Sequence, residues 1–462
     1  MKRIIFCGFR GTGKTEIGKI VAEQSGLPFL DTDTLIEQQT GRSIPDIFHE
    51  DGEERFREEE RKVIAGLKKS DAVISTGGGV VTDPINMEHL RRDSIVVVLH
   101  ADIDTIEKRL MKKPRPPLTG LPLREEIATM MDRRRQHYQA AADFCIDTSE
   151  TTPETAAAGV MDLLRHGNIP VKNRVPCTAF FKSGRIPEKC MDPLLKILSD
   201  SPPDPLTRLM GVAGYPCAHS KGPRLFNALF GHYGLNYHYT LFEDPELDEI
   251  MSVARHLDVK GLSVTIPFKQ EIIPFIDEVD EHAAQQIGAV NTVVFACGTA
   301  RGYNTDWIGV RKPLVDLKGS KAVLLGAGGA AAGAAFALTD LEMDLTILNR
   351  TPAKAKVLAE RFGCRWGELS DFDAIHPDVV VNSTPLGMKP DDRMPVREDQ
   401  LRSGMTVFDL VYTPPVTPLI EAARRAGCTT ITGTEMFIGQ AREQFYLFFG
   451  IDVPSEKIRE LL

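Results

Sequence analysis

Two glycine-rich loops of different chemistry lie far apart in this chain of 462 residues. Residues 8–15 read GFRGTGKT, which is the G-x-x-x-x-G-K-T spacing of a loop that binds a nucleoside triphosphate. Residues 326–331 read GAGGAA, which is the G-x-G-x-x-A spacing of a dinucleotide turn and contains no lysine. Two different nucleotide sites in one chain predict two different reactions.

The first loop follows an apolar run at residues 3–7 and precedes a helical stretch, which is the context that its motif requires. Backbone N–H groups of the loop are expected to hold phosphates, namely those of Gly11, Thr12 and Gly13. Lys14 would reach the outer phosphates, and the Thr15 hydroxyl would coordinate Mg²⁺. A glycine turn that merely precedes a lysine is the competing interpretation. The order of strand, loop and helix counts against it, so ATP with Mg²⁺ is the expected ligand.

Two carboxylates follow the next apolar run, which ends at Leu30. Asp31 and Asp33 are two residues apart, so on a strand both would point to the mouth of the sheet beside the phosphates. Asp31 would then hold a metal-bound water, while Asp33 accepts hydrogen bonds from a substrate hydroxyl. The N-cap of a helix that follows is an alternative explanation for one of these aspartates, but it leaves the second unexplained.

Three arginines could bind an anionic substrate or a nucleotide. Arg57 suits a substrate carboxylate, and Glu60, three residues later on a helix, can orient its guanidinium, although such a pair is also common on solvated faces. Arg115 lies between two prolines in an expected lid, and Arg134 lies on a later helix. Glycines at residues 77–79 end an apolar strand and allow a ligand to approach the backbone closely.

Residues 1–164 closely resemble shikimate kinase in the phosphate loop, Asp31-Thr32-Asp33, the triple glycine and the Arg-Pro lid. The resemblance implies a P-loop kinase with a parallel sheet that transfers a phosphoryl group from ATP to shikimate. Its catalysis would consist mainly of positioning and charge stabilisation. The implied roles are Asp31 near Mg²⁺, Lys14 and Arg115 at the nucleotide in catalysis, and Asp33, Arg57, Gly78, Gly79 and Arg134 around shikimate.

The second loop follows an apolar strand at residues 321–325 and opens an alanine-rich helix. A dinucleotide enzyme specific for NAD has an acid about twenty residues further on, where it binds the ribose hydroxyl. This chain has a basic segment there, which favours the 2′-phosphate of NADP, although a basic helix start also explains either cation alone. The predicted cofactor contacts are Gly326, Ala327, Gly328, Gly329, Ala330, Asn349, Arg350, Thr351 and Lys354.

A lysine, a carboxamide and a carboxylate lie on neighbouring segments upstream of this loop. Lys269 follows the apolar strand at residues 261–266 and a proline, and Asn291 and Asp306 follow at strand ends. A lone lysine in such a place is normally solvated. If Lys269 and Asp306 meet in a cleft, however, they form the proton-transfer pair that carbonyl reduction needs.

These segments, with Gly214-Tyr215-Pro216, residues 382–388 and Asp409-Leu410-Val411-Tyr412, closely resemble shikimate dehydrogenase over residues 209–462. The resemblance implies a smaller α/β substrate domain followed by a Rossmann domain that binds NADP(H), with 3-dehydroshikimate as the substrate. The implied roles are Lys269 and Asp306 in catalysis, Ser220, Thr265, Asn291, Tyr412 and Gln440 around the substrate, and Gly433 and Met436 near the nicotinamide.

One departure from that family concerns the substrate. The family usually shows Ser-Lys-Ser-Pro at the first substrate loop, whereas this chain has Gly222 in place of the second serine. The missing hydroxyl is expected to weaken shikimate binding by about 1 kcal/mol if a buried group loses its partner. It would also make room for the extra hydroxyl of quinate, so a dehydrogenase half that prefers quinate stays open. A catalytically silent regulator built from the same domains is the third alternative.

The composition is that of an ordinary globular chain, with 42% hydrophobic and 26% charged residues. The formal charge of −9 argues against a nucleic-acid surface, and no apolar run is long enough to cross a membrane. Because the first strand begins almost at Met1, no signal peptide is expected, and a cytoplasmic enzyme acting on small molecules is predicted. The eight cysteines show no metal-binding spacing and are expected to be reduced thiols in neither a disulfide nor a zinc site. Oligomeric state stays open.

The expected domain organisation follows from these motifs and from a proline-punctuated segment between them. It comprises a kinase-like domain at 1–165, a linker at 166–207 with a helix near 190–198, a substrate domain at 208–317, a Rossmann domain at 318–435, and C-terminal helices at 436–462 that return to the substrate domain.

Overall fold

The computed structural model describes residues 3–67, 71–112, 119–166, 207–389 and 393–462. Almost all of the predicted linker, with the helix expected near 190–198, lies outside these residues, and so does Arg115. The described residues form three sheets, and helices connect their strands. The predicted α/β class, with a kinase sheet followed by a two-domain dehydrogenase, is confirmed.

The first sheet is entirely parallel, with strand order β2-β3-β1-β4-β5. Its central strand is buried throughout, as a parallel strand covered by helices on both faces must be. The end of that strand therefore delivers the phosphate loop to the middle of the sheet edge. The strands are β1 (Arg3–Gly8), β2 (Phe29–Asp31), β3 (Val73–Ser75), β4 (Ser94–His100) and β5 (Phe144–Asp147). The helices are α1 (Lys14–Ser25), α2 (Thr32–Thr40), α3 (Ile44–Ala65), α4 (Pro84–Arg91), α5 (Ile103–Lys112), α6 (Leu123–Ala141) and α7 (Pro153–His166).

The second sheet is mixed, with strand order β7-β6-β8-β10-β11-β9. β8 pairs in parallel with β6 and antiparallel with β10, so the sheet changes direction at the strand that leads to Lys269. The strands are β6 (Arg208–Gly214), β7 (Tyr237–Glu243), β8 (Gly261–Val264), β9 (Glu278–Val279), β10 (Thr292–Ala296) and β11 (Thr299–Tyr303). The helices are α8 (Gly222–Tyr233), α9 (Leu247–His256), α10 (Ala284–Ile287) and α11 (Asp306–Arg311).

The third sheet is parallel, with strand order β14-β13-β12-β15-β16-β17. The strands after β12 are added first on one side of it and then on the other, and a Rossmann domain binds its dinucleotide at the point where the side changes. The strands are β12 (Lys321–Leu325), β13 (Asp344–Leu348), β14 (Arg365–Gly367), β15 (Val379–Asn382), β16 (Thr406–Asp409) and β17 (Thr429–Ile431). The helices are α12 (Gly329–Asp340), α13 (Pro352–Phe362), α14 (Phe372–Ile375) and α15 (Pro418–Arg425).

Two C-terminal helices, α16 (Gly433–Phe449) and α17 (Ser455–Leu461), leave the third sheet and pack on the second. Their apolar residues, including Phe445 and Phe448, share one buried core with Phe226 and Tyr239. α16 thus spans both domains of the dehydrogenase half. None of the described helices combines the length and apolar character that a membrane span requires.

The kinase and dehydrogenase halves are in direct contact. The His137 ring on α6 meets the Tyr446 ring on α16 edge to face at 6.5 Å. A disulfide joins Cys145 on β5 to Cys297, which follows β10. The expectation that all cysteines are free thiols is therefore wrong for this pair. The two residues are 152 positions apart and meet only because the halves dock, so their spacing in the sequence carried no signal.

Candidate active sites

The phosphate loop has the backbone that its glycines allow. Gly8 and Gly13 adopt φ values of 144° and 91°, and a Cβ at Gly8 would lie 2.4 Å from the Leu99 carbonyl oxygen. α1 begins directly afterwards at Lys14, whose Nζ lies 2.8 Å from Gly8 O and 2.9 Å from Phe9 O. The loop thus presents the N-terminus of α1, and the ammonium of Lys14, at the centre of the sheet edge, as a phosphate site requires.

Three oxygen-bearing side chains meet beside this loop. Thr15 Oγ1 donates to Asp31 Oδ2 over 3.1 Å and lies 3.4 Å from Ser75 Oγ. Hydroxyl and carboxylate oxygens are the ligands that Mg²⁺ prefers, so this donor set fits the ion that the sequence predicts here. Ser75 was not predicted as part of the site, because its strand was noted only for the glycines that follow.

Asp33 reaches the site by a different route from the one expected. β2 ends at Asp31, and α2 begins at Thr32, so Asp33 lies in the first turn of a helix. The expectation that both carboxylates share one face of a strand is wrong, because the Asp31 carboxylate caps α2 by accepting from Asp33 N and Thr34 N. The turn places Asp33 against the triple glycine, where a Cβ on Gly77 would lie 2.8 Å from its Oδ1.

Arg57 is held at the same triple glycine. Its Nη1 donates to Glu60 Oε2 over 2.9 Å, and its Nη2 donates to Glu53 Oε1 over 3.0 Å. A Cβ on Gly79 would lie 2.5 Å from Arg57 Nη2, so glycine is what permits the guanidinium this position. Burial raises the pKa of Glu60, and the neighbouring Arg57 opposes that rise.

Helix α6 contacts the same segment from the other side. Arg134 Nη1 and the Tyr138 hydroxyl both donate to Gly78 O, over 3.2 and 2.6 Å. Burial raises the pKa of Tyr138 to about 12, so its hydroxyl remains a donor at neutral pH. The structure therefore gathers all five predicted shikimate contacts at residues 77–79, with Asp33, Arg57 and Arg134 on three different elements around Gly78 and Gly79.

Two further residues organise the kinase site and were not predicted. Arg109 donates to Gly11 O over 3.1 Å and to Thr148 O over 2.6 Å. These bonds anchor the phosphate loop to the residue that directly follows β5. Glu126, at the start of α6, accepts from Arg10 of the loop and from the Thr119 backbone. Their partners lie far away in the sequence, so neither showed a local signal.

In the dehydrogenase half, Lys269 and Asp306 meet as predicted. Lys269 Nζ lies 2.6 Å from Asp306 Oδ2, while Asn291 Nδ2 donates to Asp306 Oδ1 over 2.8 Å. Asp306 also begins α11, where the helix dipole favours a carboxylate. The Asn291 amide is fixed in turn, since its Oδ1 accepts from Thr305 N over 2.7 Å. These contacts hold the carboxylate and leave the ammonium partly exposed.

The other predicted substrate residues lie on several different elements of the dehydrogenase half. Thr265 follows β8 and packs against Gly214, where a Cβ would lie 2.3 Å from Thr265 Cγ2. Burial raises the pKa of Tyr412, while the charge of Lys269 lowers it and the charge of Asp306 raises it further. Gln440 lies on α16, which crosses α11 closely, because a Cβ on Gly439 would lie 2.8 Å from the Gly309 Cα.

A hydroxyl and amide network that was not predicted crosses the second sheet and reaches α16. Tyr239 donates to Ser263 Oγ over 2.6 Å, and Ser263 donates to Gln444 Oε1 over 2.8 Å. Gln444 Nε2 donates to Thr292 Oγ1 over 2.9 Å. Ser220 Oγ, at the first substrate loop, accepts from the Gly222 backbone over 3.2 Å. The network ties β7, β8 and β10 to α16 beneath the predicted substrate contacts.

The Rossmann loop fits a dinucleotide. Gly326 has a φ of 110°, and a Cβ there would lie 2.6 Å from Ser383 Oγ. Around Gly328 and Gly329, by contrast, a Cβ would meet nothing within 4 Å, which leaves the N-terminus of α12 open to a pyrophosphate.

The basic segment of the predicted cofactor site follows β13. Asn349 donates to Thr351 O over 3.0 Å, and Arg350 and Lys354 are exposed. These cations fit a 2′-phosphate. Gly433, at the start of α16, lies against the backbone after β16, since a Cβ there would be 2.4 Å from Val411 O. Met436 follows one turn later on the same helix.

Comparison with known families assigns both halves. Residues 10–165 match the family model described as shikimate kinase. Three further models cover the rest: shikimate dehydrogenase substrate binding domain (212–293), shikimate / quinate 5-dehydrogenase (310–431) and shikimate 5′-dehydrogenase C-terminal domain (433–462).

Individual relatives match the dehydrogenase half over nearly their full length. An NADP⁺ shikimate dehydrogenase of Methanothermobacter thermautotrophicus is 39% identical over 272 residues, which are 55% of this chain and 96% of the relative. A shikimate dehydrogenase solved with NADP⁺ is 37% identical, with a TM-score of 0.53, covering 56% of this chain and 96% of its own. A quinate dehydrogenase of Corynebacterium glutamicum solved with NAD is 32% identical, with a TM-score of 0.52, covering 55% and 98%.

Both sites lie within or directly beside the matched ranges. The triple glycine and most of the phosphate loop lie in the first range, Lys269 lies in the second, and Asp306 lies between the second and the third. The chain belongs to the shikimate dehydrogenase family through its C-terminal half and carries a shikimate kinase domain at its N-terminus, so it joins an ATP-dependent kinase to an NADP-dependent oxidoreductase.

Proposed function

We propose that the two halves carry out consecutive reactions on one hydroxy acid. The dehydrogenase half reduces 3-dehydroshikimate to shikimate with NADPH, and the kinase half then phosphorylates the 3-hydroxyl of shikimate with MgATP. The observation that carries the proposal is the presence of both reaction centres in one chain, the Lys269–Asp306 pair and the Asp33, Arg57 and Arg134 cluster. The product of the first centre is the substrate of the second.

In the reduction, Lys269 gives a proton to the carbonyl oxygen as it becomes an alkoxide. The Rossmann loop and the basic segment at residues 349–354 would hold NADPH, which supplies the hydride when bound. Asp306 holds the ammonium at 2.6 Å, and Asn291 fixes the rotation of that carboxylate. The remaining substrate contacts are Ser220, Thr265, Tyr412 and Gln440, with Gly433 and Met436 beside the nicotinamide.

In the phosphorylation, Asp33 accepts a hydrogen bond from the hydroxyl that attacks, and Arg57 and Arg134 neutralise the shikimate carboxylate. Thr15 and Asp31, with Ser75, would hold the Mg²⁺ that neutralises phosphate charge. Lys14 stabilises charge on the transferred group, and Arg115 has the same role on the strength of its sequence context. Positioning supplies most of the catalysis, because the transition state of phosphoryl transfer is loose.

The structure bears on the choice between shikimate and quinate through Gly222. A Cβ at this position would lie 3.1 Å from the Tyr239 ring and 3.3 Å from its hydroxyl, so Tyr239 already occupies the space beside the missing serine. This contact limits a larger side chain at residue 222, and we favour shikimate because relatives that match this half over nearly their full length are shikimate dehydrogenases. Purified protein assayed with NADP⁺ or NAD⁺ and either substrate tests this, and a higher kcat/KM for quinate would reverse the preference.

One coupled assay tests the proposed sequence of reactions. The protein receives 3-dehydroshikimate, NADPH and ATP, and both NADPH oxidation and ADP release are followed. We expect equal amounts of both products, loss of ADP release alone in Lys14→Ala, and loss of both signals in Lys269→Ala. ADP release by Lys269→Ala should return when shikimate is added. Two silent centres in the intact protein would instead support a metabolite-sensing regulator. The proposal keeps the expectation of a cytoplasmic enzyme without nucleic-acid or membrane partners.

A further inference from the structure

The C-terminal end of helix α6 is capped by two buried basic side chains, one from each half of the chain. Lys260 Nζ lies 2.6 Å from both Gln139 O and Ala142 O, and Arg91 donates to Ala140 O and Ala141 O. The last carbonyls of a helix have no partner within it, and a cation there also interacts favourably with the helix dipole. Arg91 belongs to the kinase domain, but Lys260 belongs to the dehydrogenase.

Lys260 is built into the dehydrogenase half and has no exposed surface. It directly precedes β8, and its carbonyl accepts from Phe295 N over 2.9 Å, so its backbone is fixed within the second sheet. Burial, together with Arg91 and Arg208, lowers the pKa of Lys260 well below its usual range. An amine donates hydrogen bonds in either protonation state, so the cap persists.

A second contact ties the same end of α6 to both halves. The Asp143 carboxylate accepts from Arg91 over 2.7 Å and from the hydroxyl of Tyr237, which lies on β7 of the dehydrogenase. Arg208, on β6, donates to the Asp143 carbonyl. Buried charges of this kind are costly unless each is paired, and here the partners of the kinase carboxylate come partly from the other half. The interface is therefore specific as well as extensive.

The helix held in this way carries kinase-site residues. Arg134 and Tyr138 lie within two turns of the capped carbonyls and both donate to Gly78 O. Gly78 separates the two glycines that contact Asp33 and Arg57. A shift of α6 along its axis would thus move Arg134 and the triple glycine together.

We propose that Lys260 is a positioning residue for the kinase reaction: the dehydrogenase half holds the C-terminal end of α6 and so sets where Arg134 and Tyr138 lie in the shikimate site. The inference rests on the proposed role of Arg134 in binding shikimate. It predicts that the kinase depends on a residue of a domain that performs a different reaction.

The test uses the full chain, with both reactions assayed on one preparation. Lys260→Met keeps most of the length and apolar volume of the side chain and removes its hydrogen-bond donors. We expect the KM for shikimate in phosphorylation to rise about tenfold, because small displacements of a binding group have large kinetic effects. The KM for ATP should change less than about twofold, because the ion pair of Glu126 with Arg10 of the phosphate loop lies at the opposite end of α6 from the cap. A merely structural defect would lower active protein without this split.

A matched control breaks a contact between the halves without touching the cap. Glu278→Gln removes the exposed ion pair with Arg135 on α6, in which the side chains are 38% and 48% exposed. Such a pair contributes little, so the KM for shikimate should stay within about twofold of the unaltered chain. An equal rise in both variants would overturn the specific role of Lys260.

Two further variants separate the possible failures. If Lys260→Met also loses dehydrogenase turnover, Tyr237→Phe is used as the test variant in its place. It should raise the KM for shikimate about threefold, whereas an unchanged KM refutes the inference. Arg134→Ala tests the assumption beneath it. If Arg134→Ala raises that KM and neither interface variant does, only the positioning role falls. If Arg134→Ala has no effect, the proposed shikimate site falls as well.

Discussion

Replacing Gly79 by alanine should displace Arg57 and weaken shikimate binding in the kinase half. The new Cβ would lie 2.5 Å from Arg57 Nη2, 2.7 Å from Nη1 and 3.0 Å from Cζ, all shorter than ordinary contacts. The guanidinium must therefore retreat by about 1 Å. The backbone of Gly79 has a φ of −97°, which alanine adopts freely, so the effect is steric and local.

The size of the effect follows from what holds the guanidinium. Arg57 is tied to Glu60 at 2.9 Å and to Glu53 at 3.0 Å, so it cannot swing away without losing one of these pairs. A charge-assisted hydrogen bond to the substrate is worth about 1.5–3 kcal/mol. Its loss corresponds to a rise of about 10- to 150-fold in the KM for shikimate. The KM for ATP should be nearly unchanged.

ADP release at saturating ATP, with shikimate varied, measures this directly. Gly159→Ala on α7 is the matched control, because a Cβ there meets nothing within 4 Å. If the alanine acts through the guanidinium, Gly79→Ala combined with Arg57→Ala should be no worse than Arg57→Ala alone, since the two changes share one interaction. Fully additive effects, or an unchanged KM in Gly79→Ala, would refute the reasoning.

Three other outcomes are expected. Asn291→Ala should remove a hydrogen-bond donor from the buried Asp306 carboxylate and lower the free energy of unfolding in urea by about 1–3 kcal/mol. The kcat/KM of the dehydrogenase reaction should fall while kinase activity stays unaltered, and equal losses in both activities would contradict this. Burial alone would raise the pKa of Asp143, but the charge of its partner Arg91 and its hydrogen bonds hold this pKa below 3.8. The ionised carboxylate therefore stabilises the fold above pH 3.8, and this stabilisation is lost as the pH falls through the lowered pKa. The stability advantage over Asp143→Asn, measured by guanidinium unfolding, should therefore shrink below pH 3.8, and an advantage that grew there would refute the sign. Peptide mapping without reductant should recover Cys145 linked to Cys297, and two free thiols would contradict the disulfide.

Much of each site could be predicted because its signals are local. The phosphate loop and the Rossmann turn depend on glycines and short-range spacing, and the structure has both loops between a strand and a helix. The sequence predicted the pairing of Lys269 with Asp306 only on the condition that the two residues meet. Their 2.6 Å contact needs the segments that follow β8 and β11 to converge. Asp33 was assigned to a strand because the capping of α2 by Asp31 was treated as the lesser alternative.

The sequence by itself determined the two nucleotide classes, the family of each half and the residue types that carry the chemistry, because these depend on patterns within a few turns of chain. Only the tertiary structure decided which distant groups meet. Lys260 caps α6 across 118–121 positions, and Cys145 meets Cys297 across 152. Such contacts arise from the docking of one half on the other, and no pattern along a single segment encodes them.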